Sequence, residues 1–286
     1  MNSNLLKMDF RKFVVFILSH GRPHLRDTYD LLRSCGYTGR IIVVCDNEDS
    51  TINEYYNEYG KENVYVFDKL ETSRHVDSMN NFGKRNAILF ARNVCFDIAR
   101  ELGYDYFQEL DDDYYYFGHH RKERAKKTCS YNLIIRWFVE FLLNTNENVK
   151  TIAFSQGGDH IGGYDETVIW KRKAMNSFIC LTNRPFSFRG ILNEVVNTYV
   201  GLGATGDIFL TYLPFQLDQA DTQQNKGGIT ELYKDVGTYV KSFYTVMVAP
   251  SCVQIAPMGS HIQRLHHRIK WENAIPCIIS EKYKKQ

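Results

Sequence analysis

The run Tyr106-Phe107-Gln108-Glu109-Leu110 leads directly into three consecutive aspartates, Asp111, Asp112 and Asp113. Three adjacent carboxylates at the end of an apolar strand repel one another, which costs free energy unless water or a cation neutralises them. A hard divalent ion is the natural remedy. Magnesium and manganese favour oxygen ligands and usually take one or two protein carboxylates, while substrate phosphates fill other positions. The specific placement of the acids at a strand end favours this reading over a solvated acidic loop.

The preceding sequence shows what kind of fold could present such an end. Phe13-Val-Val-Phe-Ile-Leu18 reads as a buried strand that stops at Ser19-His20-Gly21-Arg22-Pro23, a turn-forming cluster. Residues 25–35 read as a helix closed by Gly36, Ile41–Val44 as a second strand ending in Cys45-Asp46-Asn47-Glu48-Asp49, and Val64–Phe67 as a third. Ala87, Ala91, Val94, Cys95, Ile98 and Leu102 recur at helical spacing before Gly103, predicting a capped helix over 87–102. Alternating strands and helices of this kind give an α/β fold with a parallel sheet. Ligands in open α/β sheets sit outside the carboxyl ends of the strands, so Ser19–Arg22 and the aspartates belong to one crevice.

After residue 118 the character changes to a basic stretch, an apolar helix (Leu133–Leu143), a strand (Thr151–Ser155) and then loops rich in Gly, Asn and Gln. No repeat or linker is visible, and residues 281–286 read as a mobile charged tail. At 286 residues with 44% apolar and 24% charged side chains, the composition excludes disorder, collagen-like repeats and coiled coils. The net charge of +2 excludes a protein held to nucleic acid by bulk charge, so any such contact must be local. The segment His119–Lys127 offers one: Arg121, Lys122, Arg124 and Lys126 suit phosphates, and suit a solvated helix face equally well. Tyr114–Phe117, just before it, either stacks on a sugar or base or packs in the core.

The seven scattered cysteines include no C-x-x-C pair, which points to a reducing cytoplasm. The six-residue run Phe13–Leu18 is too short for a signal peptide or membrane span, so no membrane association is expected. No obligate protein partner is indicated.

The order Phe-Ile-Leu-Ser-His-Gly-Arg-Pro, Val-Val-Cys-Asp, Ala91-Arg92-Asn93 and Glu-Leu-Asp-Asp-Asp resembles nucleotide-sugar-dependent glycosyltransferases of the GT-A fold. The resemblance implies a Rossmann-like, mostly parallel sheet flanked by helices in one domain, 1–286, with a nucleotide-sugar-binding half over 1–118 and an acceptor-binding half over 119–286. It implies a UDP-sugar donor and Mn2+ or Mg2+. Carried over, Ser19, His20, Gly21 and Arg22 hold the nucleotide, Asp46 contacts the uridine, Arg92 lies near the nucleotide, and Asp112 lies nearer the ribose. Asp111 and Asp113 bind the metal-diphosphate, and His266 or His267 completes the metal shell.

Neighbouring side chains on a strand face opposite ways, so at most one of these histidines would reach the metal. Arg189-Gly190-Ile191-Leu192-Asn193-Glu194 resembles the acceptor-side acidic motif and implies Glu194 as catalytic base, with Val195 where a second acid is expected. Asp159, in the glycine-rich stretch Gln156–Gly163, is the reserve candidate, and that stretch is otherwise a plain turn.

A closer similarity is to the phage-encoded TET-associated glycosyltransferases. It rests on Phe16–Pro23, Ala91–Asn93 through Glu109–Tyr114, Gly227–Glu231, Gly237–Phe243 and His266–Trp271. That branch implies sugar transfer to the hydroxymethyl group of a modified pyrimidine, 5-hydroxymethylcytosine, in DNA, with Gln223, Gln224 and Asn225 polar and flexible enough for an acceptor site. Rival readings are a glycosyltransferase acting on a protein, lipid or glycan, a nucleotidyltransferase, and a DNA-binding phage protein with a degenerate transferase fold.

Overall fold

The computed structural model of the chain describes residues 5–80, 83, 85–119, 130–160, 168–172, 176–219, 240–258 and 264–276. The strands are β1 (Phe13–Leu18), β2 (Arg40–Asp46), β3 (Val64–Phe67), β4 (Tyr106–Asp111), β5 (Tyr114–His119), β6 (Val149–Ser155), β7 (Val168–Ile169), β8 (Ile179–Leu181), β9 (Ile208–Gln219), β10 (Val253–Met258) and β11 (Arg264–Ile269). The helices are α1 (Asp27–Ser34), α2 (Ile52–Tyr59), α3 (Lys69–Arg74), α4 (Leu89–Glu101), α5 (Tyr131–Leu143) and α6 (Glu194–Thr205).

The main sheet runs β3-β2-β1-β4-β8-β6-β9-β5, with β7 on β9. Its first four strands are parallel; β8 then pairs antiparallel with both β4 and β6. The expected α/β architecture is therefore observed, and one sheet crosses both sequence halves.

Every residue of β1 is buried, as a strand covered on both faces requires. Side-chain alternation sends Val14, Phe16 and Leu18 into the core beneath α4 and α6, and Phe13, Val15 and Ile17 into the core beneath α5. Phe16 packs on Phe107 at 5.5 Å between ring centroids, and truncating such a buried ring costs about 3–5 kcal/mol. In α4, Cys95 and Ile98 turn inward as predicted. Gly103 follows at φ 75°, with Tyr104 N donating to Ala99 O at 2.8 Å, so the helix ends where a left-handed residue closes it. Helix α5 buries Tyr131, Ile134, Ile135, Phe138, Val139 and Leu142, a one-sided stripe at helical spacing.

The region after Ser155 corrects the expectation of loops. It contains α6, a helical run over 240–248 and the long strand β9. Pro214 disguises β9 as a broken element, yet it sits where the β6–β9 register shifts. Ser155 Oγ lies within hydrogen-bond reach of the Leu213 and Phe215 carbonyls there, at 2.9 and 3.0 Å. A bulge is one of the few places a sheet tolerates proline. Tyr114 and Phe117 pack in the core on β5, whereas Tyr115 faces solvent.

Candidate active site

Strands β3, β2, β1 and β4 stand side by side, so chain order reverses at β1, and the crevice opens at their carboxyl ends. The register places Leu18 opposite both Val44 and Asp111, which brings the loops after β1, β2 and β4 to one level. From α1, Thr28 Oγ1 donates to Asp111 O at 2.7 Å and accepts from Tyr114 N at 2.9 Å. The acidic turn is thereby clamped to the helix that follows β1.

Asp112 is the deepest of the three aspartates. Ser19 Oγ donates to its Oδ2 at 2.6 Å, and Arg22 Nη2 donates to its Oδ1 at 2.6 Å. It therefore anchors the first loop from below. Burial pushes its pKa up to about 7 against the pull of Arg22 and Ser19, with Asp113 and Asp111 adding to the rise. Tyr55 on α2 braces the same loop, its hydroxyl accepting from Arg22 N at 3.0 Å and standing 2.7 Å from Ser19 Oγ.

Gly21 adopts φ 67°, which favours glycine, and its N–H donates to Asp49 Oδ2 at 2.7 Å. His20 Nδ1 lies 2.8 Å from Asp46 Oδ2, which also receives Lys69 Nζ at 3.1 Å. Asp46 is 4% exposed and lies beneath His20, held by His20 and Lys69. The hydrogen bond to Asp46 raises the His20 pKa, although burial opposes it. Burial works to raise Asp46, but the His20 bond and the Lys69 charge outweigh it, and the net shift is downward.

Arg92 sits under the acidic turn, enclosed by carboxylates. It is 1% exposed, with Nη2 2.8 Å from Asp111 Oδ1, Nε 3.3 Å from Glu194 Oε1 and Nη1 3.6 Å from Glu109 Oε2. A guanidinium with three carboxylate partners supports the site from underneath. Burial pushes the Glu109 pKa up to about 8, against the attraction of Arg92. Glu194 opens α6 and is nearly buried, so its observed contact is a link to Arg92.

On its other oxygen, Asp111 accepts from Asn176 Nδ2 at 2.6 Å, and Asn176 also donates to Gln219 Oε1 at 3.0 Å. Gln156 Nε2 meets the same Gln219 oxygen at 3.1 Å, and Gln156 N donates to Asp159 Oδ2 at 2.9 Å. Asp159 in turn receives Arg172 Nε on Oδ1 at 3.2 Å.

The expected metal set is not gathered in one place. Among the described residues no group of three or more His, Cys, Asp or Glu side chains is arranged to hold an ion. Asp111 is drawn onto Arg92 and Asn176, while His266 and His267 stand on β11, whose partner is β10 in a separate two-stranded ribbon. His267 is the buried one, and the two rings lean to within 4.3 Å between centroids. Arg121, Lys122, Arg124 and Lys126 lie outside the described residues, as do Gln223, Gln224, Asn225, Gly227–Glu231 and the tail 281–286.

The structure adds Thr28, Asp49, Tyr55, Lys69 and Asn176 to the site. Asp49 and Lys69 carried a signal, since each closely follows a strand that ends at the crevice. Asn176 carried none, because it meets Asp111 across 65 residues of chain.

A family model described as TET-Associated Glycosyltransferase matches residues 13–228. The chain belongs to this family. No curated protein matches this glycosyltransferase. Among solved structures it is similar to glucosyl-3-phosphoglycerate synthase from Mycobacterium tuberculosis, in a complex with Mn2+, uridine diphosphate and glucosyl-3-phosphoglycerate. That match has 12% identity, covers 94% of this chain and 89% of the other, and has a TM-score of 0.46. Mannosyl-3-phosphoglycerate synthase from Rubrobacter xylanophilus matches with 11% identity over 90% of this chain and 86% of the other, at a TM-score of 0.41. Among the described residues of the glycosyltransferase, no helix is long and apolar enough to cross a membrane.

Proposed function

We propose that this chain, acting as one catalytic domain, transfers a sugar from a UDP-sugar to the hydroxymethyl oxygen of 5-hydroxymethylcytosine in DNA. The observation that carries the reading is the joined unit of Ser19–Arg22 and Asp111–Asp113 at the point where strand order reverses, in a member of a glycosyltransferase family. A diphosphate needs backbone and cationic donors on one side and a route for neutralising charge on the other, and this unit supplies both.

The donor set at Asp111 and Asp113 fits a hard divalent cation. It consists of carboxylate oxygens, and each Asp111 oxygen that accepts from Arg92 or Asn176 keeps a second lone pair. A Mn2+ or Mg2+ ion held there would offset the charge that develops on the departing diphosphate. Arg22, fixed by Asp112, presents its remaining donors at the loop that would hold the nucleotide, and His20 stands half exposed beside it.

Glu194, with Asp159 in reserve, is the carboxylate we assign to removing the acceptor proton if the reaction inverts. Glu194 lies by Arg92 and Asp111, and Asp159 lies by Arg172. Their amide variants separate the roles, since the base variant should lose about 10²–10⁴-fold in transfer. DNA phosphates would be met by Arg121, Lys122, Arg124 and Lys126.

The deciding experiment incubates the protein with hydroxymethylated and unmodified DNA and a panel of nucleotide sugars, then reads the mass of released nucleosides. A sugar-sized gain confined to hydroxymethylated pyrimidine supports the reading. No gain on DNA, with transfer to a protein, lipid or glycan instead, overturns the acceptor.

A further inference from the structure

Helix α5 is apolar on both sides. Its inner stripe fills the core, and on the outer side Leu133, Trp137 and Phe141 stand 39%, 51% and 41% exposed. Four-residue spacing makes these three a ridge about 12 Å long, the kind of row that packs into the groove of another helix. The N-terminal segment lengthens it. Leu6 N donates to Asn144 Oδ1 and Asn144 Nδ2 donates to Leu6 O, both at 3.0 Å, while Met8 N donates to Glu140 Oε1 at 3.4 Å. Leu5 and Leu6, 69% and 59% exposed, are thereby held at the end of the helix beyond Phe141. Apolar residues exposed singly are ordinary surface, whereas five gathered on one side mark an interaction site.

The area and the charges of this patch point to its occupant. At about 200 Å² for a whole residue, the five leave roughly 500 Å² of mainly apolar surface in water. A standard interface covers about 800 Å² on each partner, and homodimer interfaces are about 65% apolar, so the patch holds the apolar content of one dimer face. Arg136 and Glu140 both lie along one edge of the ridge, since successive residues turn by about 100° around the helix. Arg136 is exposed and makes no ion pair among the described residues.

We propose that this face binds the same face of a second copy of the chain, about a two-fold axis that passes at Trp137. Such an axis runs one helix against the reverse of the other, which sets Trp137 on the partner's Trp137 and Leu133 against the partner's Phe141. Along the helix, Arg136 lies about 1.5 Å before Trp137 and Glu140 about 4.5 Å beyond it. Reversal carries the partner's Glu140 to the side of Arg136, about 3 Å away in height, and keeps both charges on the same edge. The ridge and the two opposite charges therefore match their own image, as an isologous contact requires. Pairing through α5 is independent of which acceptor the glycosyltransferase uses.

Sedimentation equilibrium of the full chain from about 1 to 100 μM should show a reversible monomer–dimer equilibrium with a micromolar Kd. Trp137→Arg should raise that Kd at least about tenfold while the circular dichroism spectrum and thermal midpoint stay at wild type. Arg136→Glu and Glu140→Arg each set like charges together across the axis, and each should weaken the dimer by about threefold or more. Mixed in equal amounts, the two variants regain opposite charges at both contacts, so the mixture should associate more tightly than either protein alone. That mutual rescue also shows both variants to be folded. A wild-type chain that stays monomeric throughout overturns the proposal, as does a dimer whose Kd is the same in Trp137→Arg. Charge variants whose mixture associates no better than each does alone overturn it as well.

Discussion

The Ser19 hydroxyl donates to Asp112 Oδ2 at 2.6 Å, so the loop after β1 and the acidic turn after β4 are one structural unit. Asp112→Ala would strand Arg22, whose side chain is 29% exposed, beside a buried void. We expect a loss of about 3 kcal/mol in urea unfolding, with Ser19→Ala costing about 1 kcal/mol. Equal midpoints for wild type and Asp112→Ala would show that the loop does not depend on this anchor.

Arg92 is the only cation in contact with Glu109, Asp111 and Glu194 among the described residues. Arg92→Met keeps most of the volume and removes the charge, leaving buried carboxylates uncompensated. A destabilisation of about 3–5 kcal/mol is expected by denaturant titration. Arg92→Lys should recover little of it, since an ammonium cannot reproduce the guanidinium fork.

His20 and Asp46 should make the first loop sensitive to pH from both sides. The contribution of His20 is full below its unfolded pKa of about 6.5 and is lost as pH rises through its raised folded value. That of Asp46 is present above the ordinary carboxylate value of about 3.9 and is lost as pH falls through its lowered folded value. The pair is therefore strongest between the two unfolded values, from about pH 3.9 to about 6.5, and weakens on either side. Chemical-shift titration of the His20 ring should give a pKa above 6.5 in wild type and a lower one in Asp46→Asn; identical curves would refute the coupling.

Asp113→Ala should lower sugar transfer by about 10²–10³-fold while circular dichroism and the thermal midpoint stay near wild type. Chelation should abolish wild-type transfer, and added Mn2+ or Mg2+ should restore it. Turnover that survives both treatments would remove the metal from the proposal.

Replacing Arg121, Lys122 and Arg124 together should weaken DNA binding and reduce the slope of log K against log salt by about 3. Unchanged affinity at low salt would make this segment ordinary charged surface.

The sequence by itself determined the first half of the fold. Phe13–Leu18 and Ile41–Val44 are continuous apolar runs that suit a buried strand, Tyr106–Leu110 follows a capped helix, and each is followed by polar residues that lie at its carboxyl end. Such information is local, because one strand's burial and one turn's chemistry are written in adjacent residues. β9 was less legible because Pro214 resembles a break until the facing strand supplies a bulge.

Only the tertiary structure decided what each polar residue touches. Long-range packing set carboxylates around Arg92 and His20 with Lys69 over Asp46, partners that no local sequence pattern names. Whether a charged side chain faces a substrate or a buried counter-charge depends on which distant segment arrives beside it. The meeting of Asn176 with Asp111, and of Trp271 with Tyr199, was settled in that way.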